Sequence, residues 1–165
     1  MRVFILCLSI CFSSVLYAQN NADKKPLLYH PEENAAEEIA NAVKKAKAEG
    51  KQVFIQAGGN WCSWCIEFNR FTHADTQVDA LLKADYIVYH LNYSKENRNE
   101  RIFEQYKFPQ RFGFPVFLIL NDAGELIHTQ NSSYLESGKS YDKDKVLAFL
   151  KDWNRAALNA DAYKN

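Results

Sequence analysis

Sulfur is scarce in this chain: Met1 is the lone methionine, and there are four cysteines in 165 residues. Cys7 and Cys11 fall within the first 16 residues, so Cys62 and Cys65 are the only cysteines of the rest. Soft-metal chemistry has little to draw on, because zinc wants four ligands and copper(I) at least two soft ones. Any further ligand must be histidine, and His30, His73, His90 and His128 are scattered without a close pair. No metal site and no other cofactor is expected, although delivery of a metal by the thiol pair stays open as an alternative. Net charge is lacking as well, with 20 basic against 20 acidic side chains. That balance gives no electrostatic reason to expect nucleic acid or a membrane surface as partner.

A long apolar run is also missing. The stretch from Val3 to Leu16 is uncharged and mainly apolar, but a membrane span needs about 20 such residues. It follows a lone Arg2 and leads to Ala18, a small residue before Gln19. These are the three parts of a cleavable secretory signal peptide over residues 1–18, which places the mature protein in a periplasm or outside the cell, with no membrane attachment. The remaining 147 residues suffice for one domain, which buries about 68–70% of its unfolded surface and needs no covalent staple. With 47% hydrophobic and 14% aromatic residues the chain is globular. An exported protein can use disulfides freely. This one has a single pair with two residues between, and so short a ring removes little chain entropy. A purely structural bridge is a poor explanation.

Residues 19–31 are polar and read as a flexible lead-in. The Ala, Glu and Lys bias from Glu32 to Glu49 predicts a helix with Ala36, Ile39, Ala40, Val43 and Ala46 on its buried stripe and Gly50 as its stop. Val53–Ile55 reads as a buried strand running into a turn at Gly58–Asn60. A helix then starts at or near Cys62, with Trp64, Phe68 and Phe71 as core positions. Tyr86–Leu91 is the next strand, and Asn97–Lys107 a helix burying Ile102, Phe103 and Tyr106. Val116–Leu120 is a third strand, joined by the turn Asn121–Gly124 to Glu125–Thr129. Asp142 and Asp144 open a last helix carrying Val146, Leu147, Phe149, Leu150 and Trp153. Alternating strands and helices, closed by a hairpin and a helix, describe a central mixed sheet flanked by helices in one domain over 32–158, with a tail over 159–165.

Cys-x-x-Cys at the start of a helix has a physical logic. The thiolate is the nucleophile, and the unpaired N–H groups and dipole of a helix N-terminus stabilise it. Cys62, at the outer end, would attack a disulfide; Cys65, one turn inward, would resolve the mixed disulfide. Trp61 would offer an apolar surface to a substrate.

Trp61-Cys62-Ser63-Trp64-Cys65, followed about fifty residues later by Gly113-Phe114-Pro115-Val116 and an apolar strand, resembles the thioredoxin superfamily. The resemblance implies a thioredoxin-like α/β fold and thiol–disulfide oxidoreductase activity. It gives Cys62 and Cys65 the catalytic roles and Pro115 that of a cis-proline facing them. The backbone of Phe114 would then pair with an extended substrate segment. The implied partners are thiols and disulfides of exported proteins and an upstream redox protein. Two departures stand out. Where thioredoxins carry a buried aspartate, six residues before the first cysteine, this chain has Gln56, so either Glu67 or a water would have to take its place. Ser63-Trp64 matches neither the dipeptide of the reductants nor that of the oxidants, which leaves the direction of electron flow open. The other reading of the same features is a binding module that keeps the fold without the catalysis.

Overall fold

The computed structural model describes residues 27–164; the leader read over 1–18 and residues 19–26 of the lead-in lie outside them. Helix α1 (Ala35–Glu49) is capped by the Asn34 side chain, which accepts the Glu37 N–H. It ends at Gly50, whose left-handed conformation (φ 68°) lets its N–H reach the Ala46 carbonyl. Its buried stripe is Ala35, Ile39, Ala42 and Ala46, while the predicted Ala36 and Ala40 face solvent. Alanines line both sides of this helix, so Ile39 and the sheet beneath it select the face.

Strand β1 (Gln52–Gly58), helix α2 (Ser63–Ala74), helix α3 (Thr76–Asp85) and strand β2 (Tyr86–Asn92) follow. The sequence pattern gave no sign of α3. Asp75 both ends α2, with its N–H on the Phe71 carbonyl, and starts α3, with its carboxylate accepting from Gln77 and Val78. Helix α4 (Glu100–Gln105) is shorter than the predicted 97–107, because Asn99 before it is left-handed and Tyr106 leaves the helical conformation. A single 3-10 turn at Pro109–Phe112 leads to β3 (Val116–Leu120) and β4 (Leu126–Asn131). Residues 132–141 form a 3-10 turn and a small hairpin, β5 (Glu136–Ser137) and β6 (Ser140–Tyr141). Asp142 caps the last α-helix, α5 (Lys143–Asp152). Within the predicted tail, Ala160–Tyr163 makes a further 3-10 turn.

The sheet order is β2-β1-β3-β4, with β1 parallel to β2 and antiparallel to β3, and β3 antiparallel to β4. This is a thioredoxin-like α/β architecture with a mixed sheet between helical layers. Every residue of β1 and β3 is buried, as befits strands covered on both faces. Their side chains alternate between two cores. Val53, Ile55, Ala57, Val116, Leu118 and Leu120 meet α1 and α4. Phe54, Phe117 and Ile119 meet α2, α3 and α5. The second core is aromatic: Phe117 lies 4.3 Å from Phe68 and 5.3 Å from Phe54, centroid to centroid. In register, Ala57 pairs with Val116, so the ends of β1 and β3 carry Gly58 and Pro115 to one edge of the sheet.

Phe117→Ala should therefore cost about 3–5 kcal/mol of stability, read from urea unfolding of the oxidised protein. Tyr134→Ala, at a side chain 72% exposed, should change it by less than about 0.5 kcal/mol.

Candidate redox-active site

Cys62 and Cys65 form a disulfide, with sulfurs 2.09 Å apart. Cys62 is the N-cap of α2, and its sulfur already receives the Cys65 N–H at 3.2 Å. The Cys65 and Ile66 N–H groups also close on the Cys62 carbonyl. A thiolate at Cys62 thus inherits a backbone donor and the positive end of a 12-residue helix. The two cysteines differ slightly in access: Cys62 is 5% exposed and Cys65 wholly buried. Even Cys62 is more covered than a helix tip suggests, since Leu28, Tyr29, Trp64 and Phe114 pack around the pair.

Trp61, just outside the pair, is 60% exposed. It is not free to swing, because its Nε1 donates to the Tyr93 carbonyl at 2.7 Å and its ring stands edge-on to Phe114 at 5.6 Å. Phe114 in turn lies against Tyr93, the rings tilted by 31° with centroids 4.9 Å apart. The Phe114–Pro115 peptide bond is cis, and Pro115 is buried directly ahead of β3. The fold therefore gathers Trp61, Cys62, Cys65 and Phe114 into one cluster and sets Pro115 at the strand end beside it. Trp64 and Phe71 pack into the aromatic core with Phe68.

Three residues not read as part of the site belong to it. Gly58 is where β1 runs against the inner cysteine: a Cβ there would stand 2.4 Å from Cys65 Sγ and 2.9 Å from the Tyr29 hydroxyl. Asn60 clamps the approach to α1, accepting the Leu28 and Tyr29 N–H groups on Oδ1 and donating to the Tyr29 carbonyl. Tyr29, inside the stretch read as flexible lead-in, is thereby wholly buried against the disulfide. The available signal was the apolar triplet Leu27–Tyr29 between Pro26 and Pro31.

The groups around the pair are neutral. Burial holds the Tyr29 phenol far above its usual pKa, and it pushes His90, edge-on to Tyr29 at 5.6 Å, down to about 4. Gln56 is buried, donating from Nε2 to the Tyr29 hydroxyl at 2.8 Å and to the Cys65 carbonyl at 2.9 Å. Glu67 does not replace the missing acid. Its carboxylate is held by Arg70 and by the Ser140 hydroxyl, which keep its pKa down at about 2. Among the described residues no three His, Cys, Asp or Glu side chains converge as metal ligands, and no helix is long and apolar enough to cross a membrane.

A family model described as thioredoxin-like matches residues 34–122. Among solved structures, a disulphide isomerase from Xylella fastidiosa Temecula1 is similar at TM-score 0.68 and 20% identity, over 78% of this chain and 97% of that one. A thioredoxin from Thermus thermophilus aligns at TM-score 0.49 and 22% identity, over 68% and 81%. At these identities the likeness is one of fold. No curated protein sequence matches significantly.

Two outcomes test this geometry. Gly58→Ala should destabilise the oxidised protein by about 1–3 kcal/mol, since neither the sulfur nor the phenol has room to yield; an unchanged urea midpoint would contradict the packing. His90 has a folded pKa of about 4, below its ordinary 6.5. Between those values the unfolded chain binds a proton that the folded one refuses. Its contribution to stability is full above pH 6.5 and is lost as pH falls toward 4. His90→Gln should flatten the drop in urea midpoint between pH 7 and pH 5.

Proposed function

The chain belongs to the thioredoxin-like family, and from that premise we propose that it exchanges disulfides with exported proteins through Cys62 and Cys65. The observation that carries this reading is the asymmetry of the pair: a slightly exposed cysteine at the N-cap of a helix, and a wholly buried one a turn behind it. In the reducing direction the Cys62 thiolate attacks a substrate disulfide, one substrate sulfur leaves with the electron pair, and a mixed disulfide remains. Cys65 then attacks Cys62 Sγ; the Cys62–Cys65 bond forms and the second substrate sulfur departs. The oxidising direction reverses both steps. The pinned Trp61–Phe114 pair supplies an apolar rest for the substrate chain beside the sulfurs, and the backbone at Phe114 and Pro115 a place for it to lie extended. The leader over residues 1–18 supports substrates in a periplasm or outside the cell, where disulfides persist. An upstream redox protein would return the pair to its working state.

Cys65→Ala should trap mixed disulfides with protein substrates, because the sulfur that releases them is gone, and Cys62→Ala should trap far fewer. Pull-down of both variants from an exported fraction with free thiols blocked makes the comparison. Equal yields, together with a wild-type protein that fails to reduce insulin, would favour a binding module instead.

A further inference from the structure

Two short contacts fix the Tyr29 hydroxyl as an acceptor beside the inner cysteine. The Gln56 Nε2 position lies 2.9 Å from the Cys65 carbonyl oxygen and 2.8 Å from the Tyr29 hydroxyl. A carbonyl oxygen only accepts, so the group at that place is the amide NH2 and not the amide oxygen. Its second N–H accordingly goes to Tyr29 Oη. The phenol is an acceptor toward Gln56, and among the described residues this is the one hydrogen bond it makes. Its own O–H is left to find another partner. The nearest heavy atoms to a Cβ built at Gly58 are Cys65 Sγ, at 2.4 Å, and Tyr29 Oη, at 2.9 Å. Sulfur and phenol oxygen are thus separated by no more than those two lengths together, and both residues are wholly buried.

We propose that Tyr29, oriented by Gln56, donates its hydroxyl hydrogen bond to the Cys65 sulfur whenever disulfide exchange places negative charge there. The proposal rests on the reading of Cys62 as the attacking sulfur and Cys65 as the resolving one. When Cys65 resolves a mixed disulfide, the Cys65–Cys62 bond forms and the bond from Cys62 to the substrate sulfur breaks. The electron pair leaves on the substrate sulfur, and the proton that Cys65 carried as a thiol ends on that departing sulfur. In reverse, an incoming thiolate takes Cys62, and Cys65 leaves with the pair. Either way a thiolate or partial thiolate exists at Cys65 in a pocket lined by Leu28, Trp64 and Phe114, where an unpartnered charge is costly. The Tyr29 oxygen is held by Gln56 in the same buried cluster as the sulfur, so only its O–H has to turn as the charge develops. Burial makes the phenol a poor acid, so Tyr29 stabilises the sulfur without surrendering its proton. Gln56, at the place of the missing acid, is a positioning residue.

Stopped-flow mixing of the reduced protein with a chromogenic aryl disulfide separates the steps: one aryl thiolate is released when Cys62 attacks, a second when Cys65 resolves. Tyr29→Phe keeps the ring and removes one O–H. The first release should stay within about twofold, while the second slows by about tenfold or more at pH 7, the scale of a hydrogen bond to a charged group. The pH profile of the second release should shift upward, a change that loss of packing alone does not produce. Site-specific 3-fluorotyrosine at position 29, a stronger donor of nearly the same shape, should instead quicken the second release. A second release unchanged in rate and pH profile in these variants overturns the inference alone. So does equal slowing of both releases, which marks a loosened fold. A wild-type protein that gives no second release removes the resolving role of Cys65, and the inference falls with it.

Discussion

At Gly58 the backbone of β1 comes so near Cys65 that a single methyl group does not fit between strand and sulfur. This contact sets the depth of α2 against the sheet, and much of the site follows from it. With Cys65 pressed onto the strand, Cys62 becomes the outer sulfur at the N-cap. The turn after Gly58 then brings Asn60 under the chain entering from residue 28. The pleat of the same strand sends Gln56 toward the inner cysteine and Ala57 toward α1. A glycine here answers to space, not to backbone conformation, which makes it different in kind from Gly50, whose role is the left-handed end of α1.

What could be read from the sequence was whatever depends on near neighbours. The β3 run, the cap at Asp142 and the opening of a helix at the cysteine pair all follow from patterns a few residues long. Helix α3 escaped because its buried stripe is thin, Val78 and Leu82 alone, and because one aspartate serves as both stop and start. The face of α1 was misjudged because alanine packs acceptably on either side. The stretch over 132–141 docks on α2 through Tyr141 to the Trp64 carbonyl and Ser140 to Glu67. Those partners lie more than seventy residues away in sequence, beyond the reach of any local pattern. The same holds for the site. Cys62 and Cys65 are legible as a motif, whereas Tyr29 and Asn60 acquire their meaning from contacts about thirty residues apart.

Charge is arranged with similar economy. The carboxylate nearest the pair in sequence, Glu67, is tied to Arg70 and Ser140, which keep it ionised. Around the disulfide the polar groups include the Gln56 amide and the Tyr29 phenol, with the His90 imidazole behind the phenol, all neutral near pH 7. Such a pocket modulates a buried sulfur by dipoles and hydrogen bonds, and its influence varies little with pH except through the cysteines themselves.

The clamp at Asn60 has a consequence for how the site is inherited along the chain. The shared family portion begins at residue 34, whereas the phenol beside the inner sulfur is supplied from residue 29, on a short segment that one asparagine side chain straps down. Part of the pocket lining is thus encoded ahead of the shared portion. That part can be rewritten by a few substitutions ahead of α1 while every strand and helix of the scaffold is left as it stands.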